Sequence, residues 1–166
     1  MPVIAYLGIG SNVGDRTANC QKAIELLAEA GRVVVASSLY YTEPVGYKEQ
    51  EDFMNAAAVL ETDRSPDELL QVCHAIEDGQ GRRRTVKWGP RTVDIDILLY
   101  GDLVLNRPDL VIPHPLLASR KFVLAPLAEI APEAIHPVLN RTIAQLLREI
   151  RMSHTVMKCR PANKTP

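Results

Sequence analysis

Cysteine, net charge and long hydrophobic runs are all scarce in this sequence. The three cysteines, Cys20, Cys73 and Cys159, are widely separated and form no C-x-x-C pair, which argues against a disulfide framework and favours the reducing cytoplasm. A net charge of -1 gives no overall attraction for nucleic acid or for an anionic membrane. No apolar run approaches the roughly 18 residues of a membrane span. We therefore expect a cytoplasmic protein with neither a nucleic-acid nor a membrane partner.

The length and composition are those of an ordinary globular protein. A chain of 166 residues fits one domain with its own core, and 46% apolar and 23% charged residues are typical values. The apolar N-terminus, M-P-V-I-A-Y-L-G-I-G, lacks a positive flank and a cleavage site, so it predicts a first strand and not a signal peptide. We expect one domain over residues 1–166, a monomer, with a loosely ordered tail from about residue 153.

The hydrophobic pattern predicts an alternation of strands and helices. Apolar runs predict strands at residues 3–9, 32–42, 53–61 and 93–100. Helical spacing predicts helices at residues 15–30, 65–78 and about 142–150. Ser65 and Glu68 form a capping-box signal at the second helix, and Gly8, Gly10 and Gly14 are interpreted as turn residues. The order β-α-β-β-α-β predicts an α+β fold of the ferredoxin-like, split-βαβ type, an antiparallel sheet with helices on one face and the active site on the other.

Two aspartates stand inside the last predicted strand, in the stretch W-G-P-R-T-V-D-I-D-I-L-L-Y-G. Because side chains alternate along a strand, Asp94 and Asp96 share one face with Tyr100, while Leu99 faces the core. The β-carbons of the two acids lie about 7 Å apart, and two carboxylates this close repel each other unless a cation lies between them. Oxygen ligands without neighbouring His or Cys favour Mg²⁺, which completes its shell with water and phosphate oxygens. The alternative is that both acids simply solvate an exposed sheet face.

A short basic segment lies directly before this strand. Five of the ten residues from 82 to 91 are basic, namely Arg82, Arg83, Arg84, Lys87 and Arg91. The planar guanidinium group suits phosphate because it donates two parallel hydrogen bonds, and Trp88 offers a flat surface for a ring. A basic loop can also be plain solvated surface. Its position beside paired acids favours a site for an anion and a metal.

Sequence motifs limit which kinds of nucleotide-binding site this chain can contain. The chain has no G-x-x-x-x-G-K-[ST] motif, which excludes a P-loop. The later segment I-P-H-P-L-L-A-S-R-K-F supplies His114, Arg120 and Phe122. By themselves, His114 could be structural, and Phe122 and Phe53, which are the only two phenylalanines, could be core residues.

Several blocks of the sequence together resemble one family. They are L-G-I-G-S-N-V-G-D, T-E-P-V-G-Y-K-E-Q-E-D-F-M-N-A-A, W-G-P-R-T-V-D-I-D-I-L-L-Y-G and I-P-H-P-L-L-A-S-R-K-F-V-L, in order between residues 7 and 133. On these blocks the chain resembles the 6-hydroxymethyl-7,8-dihydropterin pyrophosphokinases of folate biosynthesis. The resemblance implies a ferredoxin-like fold and transfer of pyrophosphate from ATP to the hydroxymethyl group of the pterin, with release of AMP.

The resemblance also implies roles for particular residues. Two Mg²⁺ ions are held by Asp94 and Asp96, and Arg82 and Arg91 complete the catalytic set. The pterin is sandwiched between the rings of Phe53 and Phe122, and its edge is read by Asn55 and by backbone groups near Thr42 and Val45. ATP is bound by Glu77, Arg84, Trp88, Ile97, His114 and Arg120.

A few positions depart from the pattern of this family. Phe53 replaces a frequent Tyr, His74 stands where a Gln often meets the nucleotide, and Lys87 and Pro115 replace an Arg and a Tyr. None of these changes removes a metal ligand or the aromatic pair. They predict altered nucleotide affinity and not lost activity.

Two other functions remain open at this point. A Mg²⁺-dependent phosphohydrolase or nuclease uses the same acids and arginines, but it gives no role to the aromatic pair around Asn55. A non-catalytic pterin- or nucleotide-binding module could share the fold. That alternative predicts the loss of an acid or an arginine, whereas Asp94, Asp96, Arg82 and Arg91 are all present.

Overall fold

The computed structural model describes residues 2–42, 53–80, 92–150 and 156–159. The elements up to the acidic strand are β1 (Val3–Ser11), α1 (Arg16–Leu26), β2 (Arg32–Ala36), β3 (Leu39–Thr42), β4 (Phe53–Thr62), α2 (Pro66–Gly79) and β5 (Asp94–Tyr100). The elements after it are β6 (Leu105–Arg107), β7 (Leu110–Ile112), α3 (Lys121–Ile130), β8 (Ile135–His136), β9 (Arg141–Thr142), α4 (Ile143–Glu149) and β10 (Val156–Cys159).

The main sheet is antiparallel and has the predicted α+β topology. Its strands lie in the order β10-β3-β4-β1-β5, and β2 also pairs with β4. The single strand predicted over 32–42 is divided into β2 and β3 at Ser37 and Ser38. At Ser37 a side-chain hydrogen bond takes the place of a backbone hydrogen bond between the strands. The Oγ of Ser37 accepts this hydrogen bond from Ala57 N at 2.8 Å. If β2 and β3 are counted as one broken strand, the order β-α-β-β-α-β is confirmed.

Two hydrophobic clusters cover the two faces of the sheet. One joins the strands to α1 and α2 through buried residues that include Leu7, Ala23, Leu60, Leu69 and Ile97. This is the face on which both helices were expected. The other cluster packs α3 and α4 on the opposite face, against Ala57, Leu98 and Leu99. On this second face, only the part of the sheet that α3 and α4 leave uncovered is accessible to a ligand.

The phase of side chains along β5 changes at a β-bulge. Tyr6 and Leu7 of β1 pair with Leu99 and Ile97, which leaves Leu98 as the extra residue. Leu99 consequently packs in the cluster of α3 and α4. Tyr100 turns to the α1 and α2 side, where its hydroxyl donates to the Arg64 carbonyl at 2.5 Å. The predicted faces of Leu99 and Tyr100 were therefore wrong, because strict alternation assumes an unbroken register.

The interpretation of Gly8 and Gly10 as turn residues was also wrong. Both lie within β1, which continues to Ser11 and pairs with β4 and β5 along that length. A glycine inside a strand weakens it, and it often marks a place where a ligand or another backbone approaches closely. Gly10 accordingly belongs to the description of the site.

Later parts of the chain contain elements that were not predicted. α3 includes Pro126 inside the helix, although proline normally ends helices. Val156–Cys159, within the segment expected to be a loose tail, pairs with β3 as strand β10. In the described parts of the chain, no helix has both the length and the hydrophobicity that a membrane crossing requires.

Candidate active site

A row of residues crosses three strands on the sheet face away from α1 and α2. Gly10 of β1 is the partner of Asn55 in β4 and of Asp94 in β5. Asp96, two residues further along β5, is the partner of Gly8. Because neighbouring strands lie about 4.8 Å apart, Asn55 and Asp94 are separated by only two strand spacings. The sheet therefore brings a polar amide and both acids onto one surface.

A cleft of ≈ 480 Å³ opens beside β5, within the size range of small-molecule sites. It is bounded by α2, β5, the β6–β7 hairpin and the segment that leads into α3. Its lining includes six residues predicted for catalysis or for ATP, namely Glu77, Asp94, Asp96, Ile97, His114 and Arg120. His74 and Pro115, two of the positions that depart from the family pattern, also line the cleft.

The donor set in the cleft suits a hard divalent cation. Asp94 and Asp96 are carboxylates on the same face of β5, and the side chain of Asp96 is 40% exposed to solvent. Among the residues that the structure describes, no group of three or more His, Cys, Asp or Glu could form a closed metal cage. Mg²⁺ is commonly bound in this way, by one or two carboxylates together with waters and substrate phosphates. The residues present therefore fit Mg²⁺ that binds with a phosphorylated substrate.

His114 has a defined tautomer in this cleft. Its Nδ1 accepts a hydrogen bond from Leu116 N at 3.1 Å, so in the neutral ring the proton is on Nε2. Nε2 lies 3.9 Å from Asp96 Oδ1. Burial, and then the nearby Arg120, lower the pKa of His114 below its usual value, against the opposing effect of Asp94. At neutral pH His114 therefore offers a hydrogen-bond donor to the cleft and no free lone pair for a general base.

Arg120 places a positive charge near both acids. Burial lowers the pKa of Arg120, while Asp96 and Asp94 oppose this change, and arginine remains charged under these conditions. Its Cζ lies 5.4 Å from the centre of the Phe122 ring, a cation–π distance. The side chain thus connects the acidic part of the site to one of the two predicted stacking residues.

Glu77 is a buried carboxylate that supports β5 from α2. It is 1% exposed, and its Oε2 accepts a hydrogen bond from Ile95 N at 2.8 Å. Ile95 lies between Asp94 and Asp96 in the sequence. Glu77 therefore contacts the backbone that carries both acids, in addition to lining the cleft.

The residues predicted to read the pterin edge contain buried polar atoms with spare hydrogen-bonding capacity. Thr42 is 2% exposed and Asn55 is 9% exposed. Within the described parts of the chain, Thr42 Oγ1 and Asn55 Nδ2 have no hydrogen-bond partner. A buried polar atom without a partner costs free energy unless a ligand or water supplies one. Phe53 and Phe122 are both half-buried, so each ring retains some accessible surface.

A network that sequence reasoning missed ties α3 to β3. Glu129 on α3 accepts hydrogen bonds from Ser38 N at 3.0 Å and from the Tyr40 hydroxyl at 2.6 Å. Burial, with the bond to Glu129, raises the pKa of Tyr40 far above its usual value. Thr42 and Phe122 lie on the two elements that this network joins. No local sequence pattern indicated it, because Tyr40 and Glu129 are 89 residues apart.

Five predicted site residues lie outside the described residues. They are Val45, predicted for the pterin, and Arg82, Arg84, Trp88 and Arg91, predicted for catalysis and ATP. Their assignments stay predictions. The described site residues are brought together in two adjoining groups. Thr42, Phe53, Asn55 and Gly10 lie toward β3 and β4, and the acids with His114 and Arg120 lie at β5.

The comparisons with known proteins match the whole of this region. A family model described as 7,8-dihydro-6-hydroxymethylpterin-pyrophosphokinase matches residues 6–132. The chain is 46% identical over 132 residues to the 2-amino-4-hydroxy-6-hydroxymethyldihydropteridine pyrophosphokinase of Bacillus subtilis, covering 78% of this chain and 79% of that protein. It is 47% identical over 148 residues to the protein of the same name from Methylorubrum extorquens, covering 88% and 92% of the two chains.

A solved structure extends the comparison to the fold. The wild-type HPPK-DHPS of Plasmodium falciparum superimposes with a TM-score of 0.69 at 21% identity. The match covers 90% of this chain and 41% of that longer one. At this identity the likeness supports the fold alone.

Proposed function

Since this chain belongs to the 7,8-dihydro-6-hydroxymethylpterin-pyrophosphokinase family, we propose that the cleft beside β5 and the adjoining surface of β4 and β3 form its catalytic site. The chain is an ATP-dependent pyrophosphokinase of folate biosynthesis, which transfers the pyrophosphoryl group of ATP to hydroxymethyldihydropterin. In this reaction the substrate hydroxyl oxygen bonds to the β-phosphorus of ATP. The bond from that phosphorus to the α-phosphate oxygen breaks, and AMP leaves.

Asp94 and Asp96 are proposed to hold two Mg²⁺ ions together with the triphosphate. The support is a pair of carboxylates on one strand face, one of them 40% exposed, in a cleft large enough for the phosphates. When bound, Mg²⁺ neutralises phosphate charge and polarises the oxygens of the reacting groups. The two aspartates orient the ATP phosphates by fixing where that positive charge lies.

The described cationic and polar residues of the cleft are proposed to complete the ATP site. His114 donates from Nε2, as its hydrogen bond from Leu116 N requires, and Arg120 contributes a fixed positive charge. Ile97 and Glu77 shape the wall of the cleft, and Glu77 holds the strand between the acids. From the sequence, Arg82, Arg84, Trp88 and Arg91 are proposed to add contacts to ATP.

The pterin is proposed to bind where Asn55 and Thr42 face the open surface. The supporting observation is that both side chains are buried and each has a polar atom without a hydrogen-bond partner in the described residues. A flat heterocycle with ring nitrogens and an exocyclic amine can satisfy such atoms. Phe53 and Phe122 would stack on its two faces, and Val45 would contact its edge.

The observation that carries the assignment is the row Asn55–Gly10–Asp94 across three paired strands. It places the amide proposed to recognise the pterin and the acid proposed to hold Mg²⁺ two strand spacings apart, about 10 Å. One substrate can therefore be recognised at Asn55 while its hydroxymethyl group reaches the phosphates held at Asp94. Holding both reactants in this way supplies proximity, which is the main requirement of phosphoryl-group transfer.

The remaining proposals concern the molecule as a whole. We propose a single-domain monomer that acts in the cytoplasm on its two small-molecule substrates, without a nucleic-acid or membrane partner. The net charge of -1 supports the absence of a polyanionic partner. Cys20 and Cys73 are buried and form no disulfide within the described residues, which fits a reducing compartment.

The test is a product assay with ATP, Mg²⁺ and 6-hydroxymethyl-7,8-dihydropterin, in which AMP and ADP are separated by chromatography. We expect AMP that depends on the pterin, and we expect Asp94→Asn to lower the rate at least about 100-fold, as for loss of one electrostatic stabiliser. Asp102→Asn makes the same charge change on the exposed turn after β5 and should keep the parent rate.

Other outcomes of this assay identify the competing functions. ADP in place of AMP means transfer of a single phosphoryl group. Phosphate released without the pterin indicates a phosphohydrolase. Binding of the pterin without any turnover leaves a non-catalytic binding module.

A further inference from the structure

Gly10 has no side chain at the position of β1 that separates the pterin side of the site from the metal side. Its partners in the sheet are Asn55 on one side and Asp94 on the other. Among the described glycines, only Gly14 and Gly101 have a positive φ. Gly10 therefore has strand backbone dihedrals that any residue can adopt. A requirement for glycine at this position can only be steric, from the lack of room for a side chain.

The space at Gly10 is already limited by Asn55. A Cβ built on Gly10 would lie 2.9 Å from Asn55 Oδ1 and 3.7 Å from Phe53 Cδ1. The first distance is too short for a carbon–oxygen contact, whereas the second is ordinary. The backbones of β1, β4 and β5 are fixed by strand pairing, so the group that must move is the side-chain amide of Asn55.

Gly8 provides a contrast on the same face of the same strand. A Cβ at Gly8 would meet the side chain of Leu98 at 3.5 Å, which is normal van der Waals contact. Gly8 faces Asp96 and not Asn55. The two glycines therefore differ in what an added methyl group would displace.

We propose that Gly10 determines recognition of the pterin by leaving the Asn55 amide in its binding orientation. This inference rests on the proposed function, since it takes Asn55 to be the group that reads the pterin. Gly10 is a positioning residue, because it acts through Asn55. Asn55 Nδ2 is buried and without a partner in the described chain, so a rotation of the amide changes which substrate atoms can be satisfied.

The experiment compares Gly10→Ala with Gly8→Ala as the matched control. Isothermal titration calorimetry gives the dissociation constants of 6-hydroxymethyl-7,8-dihydropterin and, separately, of a non-hydrolysable ATP analogue with Mg²⁺. We expect Gly10→Ala to weaken pterin binding about tenfold or more, the size of one or two lost buried hydrogen bonds. Its affinity for the ATP analogue should stay within about twofold, and pterin binding by Gly8→Ala within about threefold.

A double-mutant cycle with Asn55→Ala tests whether Gly10 acts through Asn55. Once the amide is gone, the added methyl group has nothing to displace, so Gly10→Ala should change pterin affinity less than about threefold in that background. Equal losses in both backgrounds would overturn the proposal. If Gly10→Ala folds only together with Asn55→Ala, as judged by circular dichroism, the steric conflict is confirmed. Failure to fold in both backgrounds would overturn it.

Pterin binding by the parent protein distinguishes a failure of this inference from a failure of the proposed function on which it rests. If the parent does not bind the pterin, the proposed function is wrong and the role of Gly10 falls with it. If the parent binds the pterin and Gly10→Ala binds it equally well, only the role of Gly10 is wrong.

Discussion

At the scale of single residues, the site depends on which polar atoms are already engaged. His114 Nδ1 and Glu77 Oε2 both accept backbone N–H groups, from Leu116 at 3.1 Å and from Ile95 at 2.8 Å. Thr42 Oγ1 and Asn55 Nδ2 have no hydrogen-bond partner of any kind within the described chain. The first pair is therefore committed to shaping the site, and the second pair is available to a ligand. The family resemblance named all four residues but could not distinguish these two roles. The partners of His114 and Glu77 are backbone atoms, and a sequence motif does not show which backbone groups a side chain contacts.

Glu77 allows this distinction to be measured as stability. In Glu77→Ala the buried Ile95 N–H loses its acceptor, which should lower the free energy of unfolding by about 1–3 kcal/mol. Glu77→Gln keeps an acceptor oxygen and should lose clearly less. Urea denaturation measures both, with Gln71→Ala on the exposed side of α2 as the control for helix substitutions. Equal destabilisation by Gln and Ala would show that the negative charge, and not the acceptor, is what β5 requires.

At the scale of helices and strands, the sequence correctly predicted the elements that are marked by local sequence patterns, such as helix caps. The capping box of Ser65 and Glu68 and the start of α4 at Thr142 are both present, the latter with reciprocal bonds between Thr142 and Gln145. α3 was missed because Pro126 interrupts its pattern. The bulge at Leu98 was missed because register depends on the neighbouring strand and not on β5 itself.

The β8–β9 hairpin gives a prediction about pH. His136 is 7% exposed, and its Nδ1 accepts hydrogen bonds from Val138 N and Leu139 N at 3.2 and 3.1 Å. Burial lowers the pKa of His136 below the usual 6.5. The unfolded chain therefore binds this proton more readily, so stability is complete above pH 6.5 and falls as the pH drops below it. One such group contributes at most about 1.4 kcal/mol per pH unit.

His136→Asn isolates this effect, because asparagine can accept the turn hydrogen bonds without titrating. Unfolding free energies between pH 7 and pH 5 should fall less steeply in this variant than in the parent. Gln71→Ala, which changes an exposed side chain that does not titrate, should keep the parent slope. His114 has a lowered pKa as well, but its effect is common to all three proteins and cancels in the comparison. Identical slopes for His136→Asn and the parent would contradict the prediction.

At the scale of the whole molecule, the site is a product of strand order. Gly10, Asn55 and Asp94 come from widely separated segments, and they meet only because β1 lies between β4 and β5. The βαββαβ order and the α+β fold could be predicted, since each follows from local hydrophobic patterns. The Tyr40–Glu129 contact and the packing of α3 and α4 on the second face could not, because they depend on how distant segments meet. Gly10 was misread for the same reason: its importance lies in what stands beside it in other strands.

Because the proposed ATP site combines two carboxylates with a triphosphate, binding of nucleotide and of Mg²⁺ should be mutually dependent and visible in the stability of the whole protein. A non-hydrolysable ATP analogue at about 100 times its dissociation constant should stabilise the fold by about 2.7 kcal/mol, or about 5–11 °C in Tm for a chain of this size. Differential scanning fluorimetry with Mg²⁺ or with EDTA measures this shift. Most of it should disappear in EDTA and in the double variant Asp94→Asn/Asp96→Asn, where phosphate charge is no longer neutralised at β5. Asp102→Asn should retain it. A full shift in EDTA would show that the basic residues alone hold the nucleotide, and the two acids would then need another role.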